Sequence, residues 1–181
     1  MKKIVVLTGS PREDGNSSRL ADSFTAAARE RGLEVVRYDV AAMNVAGCRA
    51  CGKCYSAGTP CIQEDDFNAI ARAIEGADGL VLASPVYWYS FSAQMKAAID
   101  RFFCFFVGGR DFSGRKCALL GCCQSVNKDT FTGMRFVYEK TIALLKGESV
   151  GEVLIPGVLS PGDVDGTEGV KMAAVLADRF L

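Results

Sequence analysis

Four of the eight cysteines lie in one stretch, Cys48, Cys51, Cys54 and Cys61, with the spacing C-x2-C-x2-C-x6-C. Three thiolates at successive x2 spacings can wrap one compact centre, and a fourth after a longer excursion completes the ligand set of a [4Fe–4S] cube. Zinc suits the pattern less well, because structural zinc usually takes two separated C-x2-C hairpins. The plainer reading is a set of small, partly buried thiols or a redox-labile pair. Cys117, in an apolar run, and Cys104, in an aromatic one, read as packing residues. The chain has no histidine. That removes Ser-His-Asp and Cys-His nucleophiles, His-ligated metals and imidazole acid–base chemistry.

A second constellation is the polar run Thr8-Gly9-Ser10-Pro11-Arg12-Glu13-Asp14-Gly15-Asn16-Ser17-Ser18, between an apolar run and a helical pattern. Small residues let backbone N–H groups converge, a helix N-terminus adds partial positive charge, hydroxyls donate, and Arg12 supplies a guanidinium. This chemistry suits a phosphate monoester; the plain alternative is a polar turn that only caps a helix. A P-loop is excluded, since Gly9 is followed by five residues and then Gly15-Asn16 with no lysine. The dinucleotide fingerprint G-x-G-x-x-G is missing as well.

The third is Ser84-Pro85-Val86-Tyr87-Trp88-Tyr89-Ser90-Phe91-Ser92, with three adjacent aromatics in a turn that Pro85 restrains. They cannot all face one core, so at least one is expected over a pocket or an interface. The alternative is that Tyr87 and Trp88 cap a sheet edge. An aromatic turn one strand away from a phosphate loop suits a planar ring joined to a phosphate, and flavin mononucleotide (FMN) fits both ends.

These residues need elements that bring them together. Strand-length apolar runs occur at Lys3–Leu7, Glu34–Tyr38, Gly79–Ala83, Lys116–Gly121 and Val150–Ile155. Between them run helical patterns: Leu20, Phe24, Ala28; Phe67, Ile70, Ala71, Ile74; Met95, Ala98, Ile99, Phe102, Phe103, Phe106; and Met134, Val137, Tyr138, Thr141, Leu145. A last helix is expected from Gly166 or Thr167 to the C-terminus. Strand and helix in alternation predict a doubly wound α/β domain with a parallel sheet, since parallel neighbours need crossover helices. Near-continuous apolar strands agree, because a sheet covered on both faces shows no alternation. Ligands in such sheets bind at the carboxyl ends of the strands, here after Leu7, Ala83 and Gly121. We expect one domain over residues 1–181 with a Cys-rich loop at 40–65.

At 181 residues and 49% apolar, the chain can bury a sizeable core. Its 21 basic and 21 acidic residues balance, so no nucleic-acid or anionic-membrane partner is expected. The N-terminal apolar run is too short for a signal peptide and no run could span a bilayer. A cytoplasmic, reducing setting is the expectation, where clustered cysteines favour metal or redox chemistry over structural disulfides.

Taken in order, Gly9-Ser10-Pro11-Arg12, Gly15-Asn16-Ser17, Leu20-Ala21, the cysteine loop ending in Asp65-Asp66, Ser84-Pro85-Val86-Tyr87, Gln94-Met95-Lys96 and Asp100-Arg101 resemble the flavodoxin-like NAD(P)H-dependent FMN reductases and iron-sulfur flavoproteins. The resemblance spans roughly residues 3–155. It implies a flavodoxin-like, three-layer α/β/α fold with a five-stranded sheet in the order 2-1-3-4-5 and FMN as cofactor. It places Ser10, Arg12, Asn16, Ser17 and Ser18 at the phosphate, and Pro85, Val86, Tyr87 and Trp88 at the isoalloxazine ring. Cys122, Cys123, Gln124 and Ser125 become the third wall. The cysteine spacing matches that of the iron-sulfur flavoproteins, with Cys48, Cys51, Cys54 and Cys61 as [4Fe–4S] ligands. No catalytic side chain is assigned, because hydride transfer belongs to the flavin ring.

The function implied is an FMN-dependent oxidoreductase passing electrons from NADH or NADPH to a small acceptor such as flavin or quinone. One alternative is an electron carrier with FMN and a [4Fe–4S] cluster that exchanges electrons with ferredoxin-like partners. Another is an FMN-binding sensing or interaction module. Phe102, Phe103, Phe105 and Phe106 carry more apolar surface than one core face needs, which predicts a homodimer or higher homo-oligomer; a wholly internal core is the alternative. Lys96 and Asp100 are spaced for a surface pair.

Overall fold

The computed structural model describes residues 1–181. Five parallel strands, β1 (Lys3–Thr8), β2 (Glu34–Asp39), β3 (Gly79–Pro85), β4 (Lys116–Cys122) and β5 (Glu148–Ile155), form one sheet in the order β2-β1-β3-β4-β5. Each expected strand is present, lengthened by a residue or two at one end. The order reverses at β1, whose two neighbours are β2 and β3. A crevice must therefore open above the carboxyl ends of β1 and β3, where the connections diverge to opposite faces.

Successive side chains of β1 part to opposite faces, Val5 and Leu7 into one core, Ile4 and Val6 into the other. Helices α1 (Asn16–Glu30) and α6 (Gly169–Leu176) cover the Ile4/Val6 side. On the other face lie α2 (Phe67–Glu75), α3 (Ala93–Arg101), α4 (Phe103–Val107) and α5 (Thr132–Leu144). Buried Phe24 and Phe180 meet edge to face at 5.2 Å and close the α1/α6 layer at the C-terminus. Each such fully buried side chain contributes ~1.5–3 kcal/mol of transfer free energy. The last helix is shorter than the sequence suggests: α6 ends at Leu176 and a short 3₁₀ turn carries Phe180 into the core.

The aromatic run departs from the expected helical face. Phe102 and Phe105 are buried, while Phe103 and Phe106 are exposed. The cause is a break after Arg101: Phe102 N–H donates to the Ile99 carbonyl at 3.0 Å and Phe105 N–H to that of Phe102 at 2.9 Å. These three-residue steps advance the helix phase, so α4 presents a different side from the continuation of α3. Lys96 and Asp100 form the expected pair at 2.5 Å. No helix is long and apolar enough to cross a membrane.

Candidate functional site

The loop after β1 delivers an open helix end. Ser10 folds back on Arg12, its hydroxyl accepting from the Arg12 N–H at 3.1 Å. Gly15 then stands at the N-cap of α1 with no side chain to cap it. The first N–H groups of α1 therefore lack the usual capping acceptor, at the end where the helix carries about half a positive charge. The Ser17 hydroxyl is buried there with no hydrogen-bond partner. An unpartnered buried hydroxyl costs ~1–3 kcal/mol, and an anion seated on the helix end would satisfy it. Gly9 lets the neighbouring α3 come close: a Cβ there would lie 2.7 Å from Met95 Cβ and 2.8 Å from Ser92 Oγ. Ser92 uses that proximity, donating to the Gly9 carbonyl at 2.6 Å while accepting from the Met95 N–H at 3.3 Å as the cap of α3.

The aromatic turn after β3 is tight and strained. Tyr87 N–H donates to the Ser90 carbonyl at 2.9 Å and Ser90 N–H to that of Tyr87 at 3.1 Å. Between them Trp88 and Tyr89 both take left-handed backbone, with φ of 47° and 65°. Glycine or asparagine is the usual occupant of such a turn, and bulky residues there store of order 1–3 kcal/mol each. Trp88 is 95% exposed. The turn leans on α5 where Gly133 has no side chain, since a Cβ at Gly133 would collide with the Tyr89 carbonyl. Val86 N–H donates to the Cys122 carbonyl at 2.8 Å and ties this wall to the next.

These segments enclose a cleft of about 370 Å³ above the sheet. Of the residues expected to bind a cofactor, Ser10, Arg12, Asn16, Ser17, Pro85, Val86, Tyr87, Trp88, Cys122 and Cys123 all line it. Ser18 does not; it opens onto a neighbouring polar cavity beside Arg37 and Asp39. Asn16 lines the cleft, but its side chain is engaged elsewhere, donating to the Ser160 carbonyl at 2.9 Å and accepting from the Val164 N–H at 3.2 Å. A fourth wall, Val158 and Leu159 after β5, was not anticipated from the sequence. The carboxyl-end rule applied to Ile155 as well as to the other strands would have pointed there.

Arg12 is the one charged side chain among the lining residues. Cys122 and Cys123 hang from consecutive positions at the end of β4 and so enter opposite core layers. Burial pushes the Cys122 thiol up to about 12 and raises that of Cys123. Both are neutral near pH 7, unsuited to nucleophilic work.

The four clustered cysteines sit in the long connection between β2 and α2, which forms no helix or strand. Cys48 and Cys51 are exposed, Cys54 is half-buried, Cys61 is buried, and all are free thiols. Burial raises the Cys54 thiol, and Cys61, Cys51 and Cys48 push it further in the same direction. They are not drawn into one closed cage. In donor chemistry the set fits a four-thiolate centre.

Comparison with known proteins places this architecture. The family model for NADPH-dependent FMN reductases matches residues 2–138. An iron-sulfur flavoprotein of Archaeoglobus fulgidus is 38% identical over 99 residues, 55% of this chain and 44% of that relative. The chain spans about half the length of the first curated relatives it matches. An azoreductase from Bacillus anthracis superposes with a TM-score of 0.74 at 18% identity, over 99% of this chain and 100% of that one. An NAD(P)H:quinone oxidoreductase from Methanothermobacter marburgensis superposes at 0.72 with 22% identity, over 98% and 92%. At such identities the structural likeness establishes the fold. The family match runs from before β1 into α5, across the phosphate-type loop and the aromatic turn, and the chain belongs to the NADPH-dependent FMN reductase family.

Proposed function

We propose that the cleft binds FMN and that the protein passes reducing equivalents from NADH or NADPH to a small acceptor such as a flavin or quinone. The observation that carries this reading is the uncapped N-terminus of α1, with the buried, unpartnered Ser17 hydroxyl beside it. Arg12, Ser10 and the first N–H groups of α1 would hold the phosphate. Pro85, Val86, Tyr87 and Trp88 would hold the ring on one side and Cys122 and Cys123 on the other. Bound there, FMN supplies hydride and electron chemistry that no side chain of the cleft offers. The protein binds, orients and screens: with Arg12 as the one charged lining residue, nothing near the ring must titrate at neutral pH. The test is to load the protein with FMN anaerobically and titrate with NADH and NADPH. Bleaching of the flavin absorbance by either supports the proposal, and failure to retain flavin overturns it.

A second reading is favoured by the four free thiols of Cys48, Cys51, Cys54 and Cys61 in one loop and by the iron-sulfur flavoprotein relatives. On this reading the loop holds a [4Fe–4S] cluster and the protein exchanges electrons with a ferredoxin-like partner. Anaerobic reconstitution should then yield about four irons per chain, and Cys51→Ser should lower that content. Wild-type iron content in the variant removes Cys51 from the ligand set. For association, the outward pair Phe103 and Phe106, 6.2 Å apart, with exposed Val107, is the apolar surface a second copy would cover. Light scattering that gives a monomer mass at micromolar concentration would reject the dimer.

A further inference from the structure

The cysteine loop is stitched shut at its neck, and the stitch passes through α3. Asn44 N–H donates to the Asp66 carboxylate at 2.8 Å, and Asp66 N–H returns a bond to the Asn44 carbonyl at 3.0 Å. One step further in, Ala46 N–H donates to Asp65 Oδ2 at 3.0 Å. Arg101 closes the ring: Nη1 donates to Asp65 Oδ2 at 2.6 Å and to the Ala46 carbonyl at 3.0 Å, and Nη2 to Asp65 Oδ1 at 3.0 Å. All four clustered cysteines lie inside the loop these ties close, between Ala46 and Asp65.

The pair is buried, with side-chain exposures of 1% for Arg101 and 6% for Asp65. Burying two charges costs several kcal/mol per ion, and apolar residues of similar volume often serve stability as well or better. An ion pair here calls for a use beyond holding α3 against the loop. Arg101 also has a donor to spare: its Nε is buried with no partner. The guanidinium lies over the Phe67 ring at 4.4 Å. On the far side of the loop the Asn68 amide pins Cys61, accepting from its N–H at 2.8 Å and donating to its carbonyl at 3.0 Å.

We infer that Arg101 is the positioning residue of the four-cysteine loop: it closes the neck through Asp65 and the Ala46 carbonyl, two residues before Cys48, and its buried charge there is the counter-charge to an anionic sulfur centre in the loop. The neck concerns the protein alone; the counter-charge rests on the second reading above, in which the loop holds a cluster. Clustered thiolates repel one another, and a fixed cation buried at the loop's neck offsets that repulsion where water cannot.

The full chain serves for both measurements, as wild type, Arg101→Gln, Arg101→Lys and Asp65→Asn. In the iron-free protein, trypsin reports the neck by cutting after Arg49 and Lys53, both exposed in the loop. Arg101→Gln and Asp65→Asn should each be nicked at least about tenfold faster than wild type, with far-ultraviolet circular dichroism unchanged. Wild-type nicking rates in folded variants overturn the neck role. If Arg101→Gln does not fold, the nearly isosteric Asp65→Asn decides. After anaerobic reconstitution with iron and sulfide, the cluster's midpoint potential reports the counter-charge. It should fall in Arg101→Gln, rise in Asp65→Asn, and in Arg101→Lys lie between wild type and Arg101→Gln. Unchanged potentials, or shifts of one sign in the Gln and Asn variants, overturn the counter-charge, since loosening alone would not split them by sign. Wild type that takes up no iron removes the sulfur centre and with it the counter-charge, while the nicking rates still decide the neck.

Discussion

Arg12, from the loop after β1, reaches across the cleft and donates to the Leu159 carbonyl beyond β5 at 2.8 Å. The one charged lining residue thus spans two walls that are 147 positions apart in sequence. Its guanidinium is already held at the mouth where a phosphate would enter, so little side-chain entropy remains to be lost on binding.

Arg12→Ala should therefore weaken FMN much more than riboflavin, which has no phosphate. A charge-assisted bond is worth about 1.5–3 kcal/mol, or roughly 10- to 100-fold in affinity. Quenching of flavin fluorescence on titration measures both ligands. Equal losses for the two would show that Arg12 acts on the cleft's shape and not on phosphate.

Asn16→Ala should act differently, because the Asn16 amide fastens Ser160 and Val164. The variant leaves a carbonyl and a buried N–H unpaired, at a cost of ~1–3 kcal/mol. Urea denaturation of flavin-free protein should show a lower midpoint with an unchanged slope. FMN and riboflavin affinities should fall together, as the fourth wall loosens under both.

Trp88→Gly should raise the melting temperature of flavin-free protein while weakening flavin binding. Glycine takes the φ of 47° without strain, a relief of about 1–2 kcal/mol. The indole is 95% exposed and gives the isolated fold little packing in return. A lower melting temperature in the variant would mean that Trp88 supports the turn and does not burden it.

Alkaline pH should destabilise the protein through its buried thiols. Burial pushes Cys117 and Cys122 up to about 12, whereas an unfolded thiol titrates near ~8.5. Above ~8.5 the unfolded chain gives up protons that the folded chain keeps, so stability is complete below that pH and falls as pH rises toward about 12. Each thiol contributes a slope of up to ~1.4 kcal/mol per pH unit. Urea midpoints followed into the alkaline range should decline, and less steeply in Cys117→Ala. A pH-independent midpoint would show these thiols titrating freely in the folded state.

The strands were readable because covered parallel strands announce themselves: Ile4 to Leu7 and Leu80 to Ala83 have no polar face to hide. Three walls of the cleft were readable for a related reason, since each is a contiguous loop whose residue types carry their own chemistry. The break between Arg101 and Phe103 was not. Both phases of that aromatic run satisfy a helical period, and only packing against Phe112, 5.8 Å from Phe105, selects between them.

By itself the sequence determined the alternation of strand and helix, the phosphate-type loop, the aromatic turn and the four-cysteine spacing, because each rests on residues within one turn or loop of each other. The tertiary structure decided what depends on chain segments meeting from afar. Leu159 completes the cleft opposite Arg12, the Asn16 amide is taken up by the β5–α6 connection, and Arg101 pairs with Asp65 at 36 positions' distance. Residue types and local spacing carry no record of such pairings; they are set when the sheet stacks its strands in the order 2-1-3-4-5 and brings those loops together around it.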